Sequence, residues 1–340
     1  MTLEEKFHLA YATDAGYLIP TFVAAASALT WAGAGREKLV VHILDVAIPD
    51  EKWWWFEGRL RHLFGESFGL VRHQIEESKL LGFKRWHGSV AAYARLLLPE
   101  LLPNVKWCFY GDGDTLFTGN PLALREYCQD RFALIGHRDI YTNIQVEWFA
   151  AHGYVFDPDE YVCSGFLLMN LEAFRDERLG AKCFDFINQH EDVVYPDQDA
   201  LNVVCHGKIL QLRNKWGEFG FRFGSINQPG CIHYGSWQPW KLEYVAHRGM
   251  LDIDLLWFLF AKRICGLPTH RLTLGKSVLV YWWLYICAGY FRCQAIILSV
   301  VPGLRGKVGK ALSQMIRRKD FSLFLHKCQT GLLLGVGRGR

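Results

Sequence analysis

No CxxC pair and no regular cysteine framework occurs among the 10 cysteines of this 340-residue chain. A secreted domain built on disulfides is smaller and more densely bridged, so reduced thiols in a cytoplasm are expected. The start, Met1 to Lys6, is acidic and polar and carries no apolar stretch, which argues against a signal peptide and export. Internal repeats and low-complexity runs are missing too. Charged residues make up only 21%, against 51% hydrophobic, which excludes global disorder and leaves ample material for a core.

What is abundant is aromatic. Such residues reach 15%, with 13 Trp, and these side chains serve cores, sugar sites and membrane interfaces alike. The net charge of +4 hides an asymmetry. From Ala261 onward stand 14 Lys+Arg and one acid, Asp320, which leaves 24 basic and 33 acidic residues in the rest. An acidic body with a basic tail points to an anionic partner for the tail. No nucleic-acid recognition motif accompanies that charge, so no nucleic acid is expected.

Short apolar runs alternate with helical patterns. Strands are predicted over 7–12, 39–44, 69–75, 106–110, 132–136, 162–170, 208–212 and 230–233. Helices are predicted over 20–30, 53–64, 89–98 with Ser89 as cap and Pro99 as stop, 171–190 and 197–205. Alternation of this kind builds a mostly parallel sheet with crossover helices. Ligands of such sheets sit beyond the carboxyl ends of the strands.

Directly after the predicted strand KWCFY stands Asp112-Gly113-Asp114. In an extended segment the side chains of i and i+2 point the same way, so both carboxylates can reach one hard cation, Mg²⁺ or Mn²⁺. An isolated DxD is more often a solvated Asp-Gly turn, so the surroundings decide. Those surroundings form an ordered series of motifs: Tyr11–Tyr17, Ser89–Pro103, Phe109–Asp114, Ser164–Leu171, Asp197–Asn202 and His233–Trp240. In that order they resemble glycosyltransferase family 8, which includes bacterial lipopolysaccharide galactosyl- and glucosyltransferases. The resemblance covers roughly Phe7 to Lys241.

The resemblance implies a GT-A type nucleotide-diphospho-sugar transferase fold over residues 1–250, followed by a basic, aromatic, helical membrane-association region over 251–340. It implies Asp112, Asp114 and His233 as metal ligands for Mn²⁺ or Mg²⁺. Ala12, Asp14, Arg95, Asp112, Ser164, Gly235 and Gln238 are the implied donor-binding residues, with Asp14 at the uracil and Arg95 near the diphosphate or donor sugar. Asp197, Gln198 and Asp199 form the implied sugar-side catalytic cluster. Gln198 would face the anomeric carbon opposite the leaving group. A neutral amide there favours a front-face path over double displacement, with Asp199 as the alternative nucleophile. The implied reaction is retaining transfer of galactose or glucose from UDP-galactose or UDP-glucose to a lipid-linked oligosaccharide, of lipopolysaccharide-core type.

Several positions depart from the family pattern. Gln238 stands where a Lys offsets diphosphate charge, with Lys241 three residues on. One residue fewer separates His233 from Gly235. Gly16 replaces a polar base contact, and Cys163-Ser164 replaces Asn-Ala. A nucleotide-sugar-binding protein of the same fold with impaired catalysis is therefore the rival reading.

In the tail, Ser277–Pro302 is apolar and aromatic but contains Arg292, and Arg305 to Lys327 is basic with apolar residues interleaved. A spanning helix wants about 20 apolar residues without interior charge. The pattern instead suits peripheral contact with the anionic inner face of a cytoplasmic membrane. A single span near Val278–Val301 is the alternative.

Overall fold

The computed structural model describes residues 6–80, 82–83, 89–139, 143–223, 228–235, 238–240 and 252–267. Two layers of helix enclose a seven-stranded sheet. Its strands are β1 (Phe7–Thr13), β2 (Leu39–Val46), β3 (Gly69–Ile75), β4 (Trp107–Gly111), β6 (Leu134–Arg138), β7 (Val162–Asn170) and β8 (Ile209–Leu212). They lie in the order β3-β2-β1-β4-β7-β6-β8. All pairs are parallel except the two made by β7. The carboxyl ends of β1, β4 and β6 and the start of β7 therefore share one edge. A second sheet orders β5 (Thr115–Phe117), β10 (Cys231–His233) and β9 (Trp216–Phe219).

Strand periodicity of two sorts the core into two faces. Leu9, Tyr11, Val41 and Ile43 pack on one side with α1 (Leu18–Ala32) and α2 (Asp50–Phe64). Ala10, Ala12, Leu44 and Tyr110 face the other. There they meet the 3₁₀ helix Ala91–Leu97 and α6 (Leu179–Gln189), packed with α3 (Leu98–Leu101), α5 (Leu171–Asp176) and α7 (Pro196–Val204). On that side His8, His42 and His73 form a hydrogen-bonded row of rings, at 2.9 and 3.0 Å. Burial, helped by its two histidine neighbours, pushes His42 down to about 3, so its ring is uncharged at neutral pH.

Helix α1 is apolar on nearly every side, the pattern of a helix buried all round. Residues Leu18–Lys38 are long and apolar enough to cross a membrane by composition, yet most of that stretch is buried inside the fold.

All eight predicted strands form, within a few residues. The helix expected over 171–190 breaks into α5 and α6 at Arg178, which adopts φ 55°. The apolar stripe slips there: Leu171 and Phe174 set one phase and Leu179, Cys183 and Phe186 another. Ser89 is not the cap residue expected: the N-cap is Val90, without a side-chain cap, and Ser89 stands one residue earlier, where its Oγ accepts from Ala91 N–H at 3.1 Å. The segment is 3₁₀, and Pro99 lies in the first turn of α3 instead of stopping a helix. A proline is harmless there because that N–H has no helical partner to lose.

Two strands, β5 and β9, and one helix, α4 (Asn143–Ala151), were not expected. Three or four residues give β5 and β9 no periodicity of their own. In α4 the buried positions are Gln145 and Phe149, so a polar residue interrupts the apolar stripe.

The body also runs past residue 250. In α8 (Asp252–Arg263), Ile253, Leu256, Trp257 and Phe260 are buried in the same core as α1 and α2. Arg59 of α2 donates to Cys265 O at 3.0 Å. The boundary expected at 250 therefore falls before an integral helix, and residues 268–340 lie outside the described residues. The seven described cysteines are free thiols.

A chain ending at residue 267 keeps α8 and its core contacts and is expected to unfold at a higher temperature than one ending at 250. A chain ending at 250 should lose several kcal/mol, since removing one large buried aromatic such as Trp257 alone costs about 3–5 kcal/mol. Equal melting of the two truncations would show that α8 is not part of the body.

Candidate active site

Every motif singled out in the sequence meets at the carboxyl edge of the sheet. Asp112 leaves β4 there, and its N–H donates to Gly165 O in β7 at 2.9 Å. His233 is far away in sequence, but β10 pairs antiparallel with β5, which sets His233 opposite Thr115, and Tyr234 N–H donates to Asp114 O at 2.9 Å. Ligand atoms of Asp112, Asp114 and His233 all lie within 4.8 Å of one another. A Cβ on Gly165 would stand 2.4 Å from His233 Cε1 and 2.8 Å from Asp112 Oδ2, so only glycine lets β7 pass beneath this cluster.

The donor set fits a hard divalent cation. Asp112 Oδ1 accepts from Arg95 and Tyr110, both at 3.0 Å, and its Oδ2 lies 3.9 Å from His233 Nε2. Asp114 Oδ2 accepts from Tyr17 Oη and Gln238 Nε2, each at 3.0 Å. The other oxygen, Oδ1, is buried without a hydrogen bond, with His233 Nε2 at 3.4 Å. An orphaned buried carboxylate oxygen beside an imidazole nitrogen suits a metal ligand. Burial pushes the Asp114 carboxyl up, but His233, Gln238 and Tyr17 outweigh it and hold it below the usual range. Burial lowers His233, and Cys163 and Asp114 together raise it well above its ordinary value. The Cys163 thiol lies 3.5 Å from His233 Nδ1, on the far side of the ring from the carboxylates.

Arg95 is 2% exposed. Its Nε donates to Ala92 O at 2.7 Å and lies 3.4 Å from Asp197 Oδ2. Its two terminal nitrogens reach Ser164 O and Asp112 Oδ1, and its guanidinium lies 4.3 Å from the Tyr110 ring centroid. The residue expected near the donor is thus tied to the carboxylates that flank it.

Pro196 opens α7 and puts Asp197 and Asp199 in its first turn, where acids favour the helix dipole. Gln198 Oε1 accepts from Ser164 N–H at 3.1 Å, and its Nε2 donates to Tyr161 Oη at 2.9 Å and to Asp139 Oδ2 at 2.5 Å. Asp199 is 1% exposed and both its oxygens are engaged. Oδ1 accepts from Tyr161 and Gln145, and Oδ2 from Tyr195 N–H. Ala12 and Asp14 lie at the end of β1. Asp14 Oδ1 accepts the Gly16 and Tyr17 N–H groups at 2.8 and 3.0 Å, which orders the turn that aims Tyr17 at Asp114. Gly235, at φ 57°, carries the carbonyl that accepts from Gln238. Lys241 lies outside the described residues.

Five partners went unassigned in the sequence: Tyr17, Tyr110, Asp139, Gln145 and Tyr161. Asp139 follows β6 directly, where the rule about strand ends would have found it. Gln145 and Tyr161 carry no comparable signal.

A mostly parallel α/β sheet with a DxD and a distant histidine at its carboxyl edge is the GT-A type of fold. The comparisons agree. The profile described as "Glycosyl transferase family 8" matches residues 8–241, and the chain belongs to that family. It is 24% identical over 268 residues to the lipopolysaccharide glucosyltransferase WaaO of Escherichia coli K12, covering 72% of this chain and 76% of WaaO. It is 30% identical over 133 residues to a putative glycosyltransferase of Haemophilus influenzae, covering 38% of this chain and only 39% of that protein. The crystal structure of galactosyltransferase LgtC with donor and acceptor sugar analogs superposes with a TM-score of 0.64 at 22% identity, over 78% of this chain and 99% of that one.

Burial is the main force raising the Asp199 carboxyl, to about 6, against hydrogen bonds from Tyr161, Tyr195 N–H and Gln145. An acid with a folded value above its unfolded one (about 3.9) costs stability when ionised, fully above about 6 and not at all below about 4. Wild type minus Asp199→Asn in unfolding free energy should therefore rise by roughly 2–3 kcal/mol from about pH 8 to about pH 4. A flat difference in urea titrations would contradict the raised value.

Proposed function

We propose that this protein is a retaining hexosyltransferase that moves galactose or glucose from its UDP derivative to a saccharide acceptor, a lipid-linked oligosaccharide of lipopolysaccharide-core type. The observation that carries the reading is the cluster of Asp112, Asp114 and His233, in which a buried Asp114 oxygen makes no hydrogen bond and faces His233 Nε2 at 3.4 Å. These residues would hold Mn²⁺ or Mg²⁺, which neutralises charge gathering on the diphosphate as it leaves. WaaO and LgtC, by their names, act with glucose and galactose respectively, and both hexoses stay in the proposal.

Asp14 and Ala12 would meet the uracil and its surroundings, and Ser164 and Gly235 would line the donor. In transfer with retention, the bond from the anomeric carbon to the phosphate oxygen breaks as the acceptor oxygen bonds to the same face. The acceptor proton passes to the departing phosphate. Asp197 would hold donor hydroxyls. Gln198 is held at both ends by Ser164, Asp139 and Tyr161, which supports a fixed dipole at the anomeric carbon instead of a nucleophile. Asp199, with both oxygens taken, is better suited to position Tyr161 and Gln145 than to attack. Both points favour the front-face path.

Gln238 favours one rival, a nucleotide-sugar binder with impaired transfer, since it brings no cation to the diphosphate. Release of UDP from UDP-galactose and UDP-glucose separates the readings. We expect Mn²⁺-dependent release with one donor, lost by at least about a hundredfold in Asp114→Ala, because that change removes a ligand of the charge-stabilising ion. UDP binding by calorimetry without release from either donor would favour the binder, and no UDP binding would end the nucleotide-sugar reading.

The basic, Trp- and Tyr-rich segment beyond residue 267 supports peripheral association with an anionic cytoplasmic membrane surface, at about 1 kcal/mol for each Lys or Arg near the lipid. The full chain should co-sediment with vesicles containing anionic lipid and be released by high salt. The chain ending at 267 should stay in the supernatant. Salt-resistant and carbonate-resistant binding would point instead to a spanning segment.

A further inference from the structure

A second set of metal-ligating side chains lies away from the Asp112 cluster. Ligand atoms of His152, His190 and Asp192 all lie within 4.8 Å of one another. They come from two helix ends: His152 follows α4, and His190 caps the C-terminus of α6, with Asp192 two residues on. We propose that these three side chains bind one transition-metal ion of the Zn²⁺ class and so tie α4 to the end of α6. The assignment does not rest on the transferase reading.

Three observations carry it. First, each ligand is held by a second hydrogen bond, as outer-shell partners hold metal ligands. The Nδ1 of His152 pairs with Trp148 O at 2.9 Å, Trp148 Nε1 donates to Asp192 Oδ2 at 2.9 Å, and Tyr154 Oη pairs with His190 Nε2 at 2.8 Å. The Trp148 indole also stacks on the His152 ring at 4.0 Å. Second, the carbonyl at Nδ1 fixes the tautomer of His152, because a carbonyl can only accept. With the proton on Nδ1, the neutral ring presents the Nε2 lone pair to the Asp192 carboxylate 3.9 Å away. That separation is too long for a hydrogen bond. In the neutral form two acceptors face each other, which a cation at about 2.0–2.2 Å from each would join. Third, two imidazoles and one carboxylate are a Zn²⁺-type donor set that leaves a fourth position for water. His152 and Asp192 are exposed, so an ion has an open path in.

The consequence reaches the active site through α4. That helix carries Gln145, which bonds Tyr161 and Asp199. An ion at the end of α4 would restrain the helix that carries this contact.

The test is a metal count on tag-free full-length protein, stripped of metal and dialysed against Zn²⁺, with thermal melting alongside. Wild type is compared with His152→Ala, Asp192→Asn, Trp148→Phe and Asp114→Asn. We expect His152→Ala and Asp192→Asn to bind one ion fewer than wild type and to lose the Zn²⁺-dependent rise in melting temperature. Asp114→Asn should keep that rise, which separates this site from the Asp112 cluster. Trp148→Phe removes the hydrogen-bond donor to Asp192 and keeps an aromatic, though smaller, ring against His152, and should weaken Zn²⁺ binding about 10–100-fold. Unchanged stoichiometry in both His152→Ala and Asp192→Asn would overturn the proposal.

Discussion

The arrangement of the active edge depends on one buried cation. A guanidinium as enclosed as that of Arg95 costs several kcal/mol to desolvate, and it persists only where carboxylates and carbonyls surround it. Burial works against its charge, but Asp112, Tyr110 and Asp197 outweigh burial and keep it protonated. Each partner is thereby fixed. Asp112 gives Arg95 one oxygen and keeps the other beside His233. Asp197, at the start of α7, is drawn toward the same centre, and the Ser164 carbonyl ties β7 to both. Loss of Arg95 would leave two carboxylates, Asp112 and Asp197, and the Ser164 carbonyl without their shared partner, on three elements at once. A lysine would supply a point charge where a planar fork is needed.

Around that centre, chain topology does what local sequence cannot. His233 reaches Asp114 because β10 adds to β5, a three-residue strand that begins directly after the DxD. Gly165 lets β7 run close beneath, and Tyr17 and Gln238 both occupy Asp114 Oδ2. The effect is to leave Asp114 a single free oxygen. Gln238 matters in this light. A lysine amine at 3.0 Å from Asp114 would compete with a metal ion for that carboxylate, whereas an amide orients it without adding charge. Under the proposed reading, the departure from the family pattern would change the charge around the donor diphosphate while leaving the candidate metal ligands in place.

The sheet was legible because its strands are apolar runs long enough to show their period and are bounded by turn residues. The candidate site residues stand in motifs, and the described ones lie together at the carboxyl edge of the sheet. What was not legible is the support beneath them. Gln145 is a single polar residue at a buried helix position, and it hides α4. Tyr161 looks like core until its hydroxyl is seen between Gln198 and Asp199. Asp199 itself is indistinguishable in sequence from a nucleophile, since only its three hydrogen bonds and near-complete burial reveal a carboxylate already in use. The same blindness explains the domain boundary. The stripe Ile253, Leu256, Trp257 and Phe260 follows a stretch with no strand or motif, and its place in the core is a fact of packing alone.

Charge balance gives an argument for a divalent ion that is independent of any motif. Asp112, Asp114, Asp139, Asp197 and Asp199 gather at one edge, and the described cations among them are Arg95 and, when protonated, His233. Arg95 is already committed to two of those carboxylates. Burial raises Asp199 toward neutrality, but it does not remove the excess. A nucleotide diphosphate approaching such an edge would meet net negative charge at short range in a partly dry site, where repulsion is strong. Gln238 contributes none of the positive charge that a lysine would bring there. A divalent ion between Asp112, Asp114 and His233 would supply it, and the ion's own charge would then dominate the local field. On this view the metal is what lets an acidic edge accept an anionic donor at all.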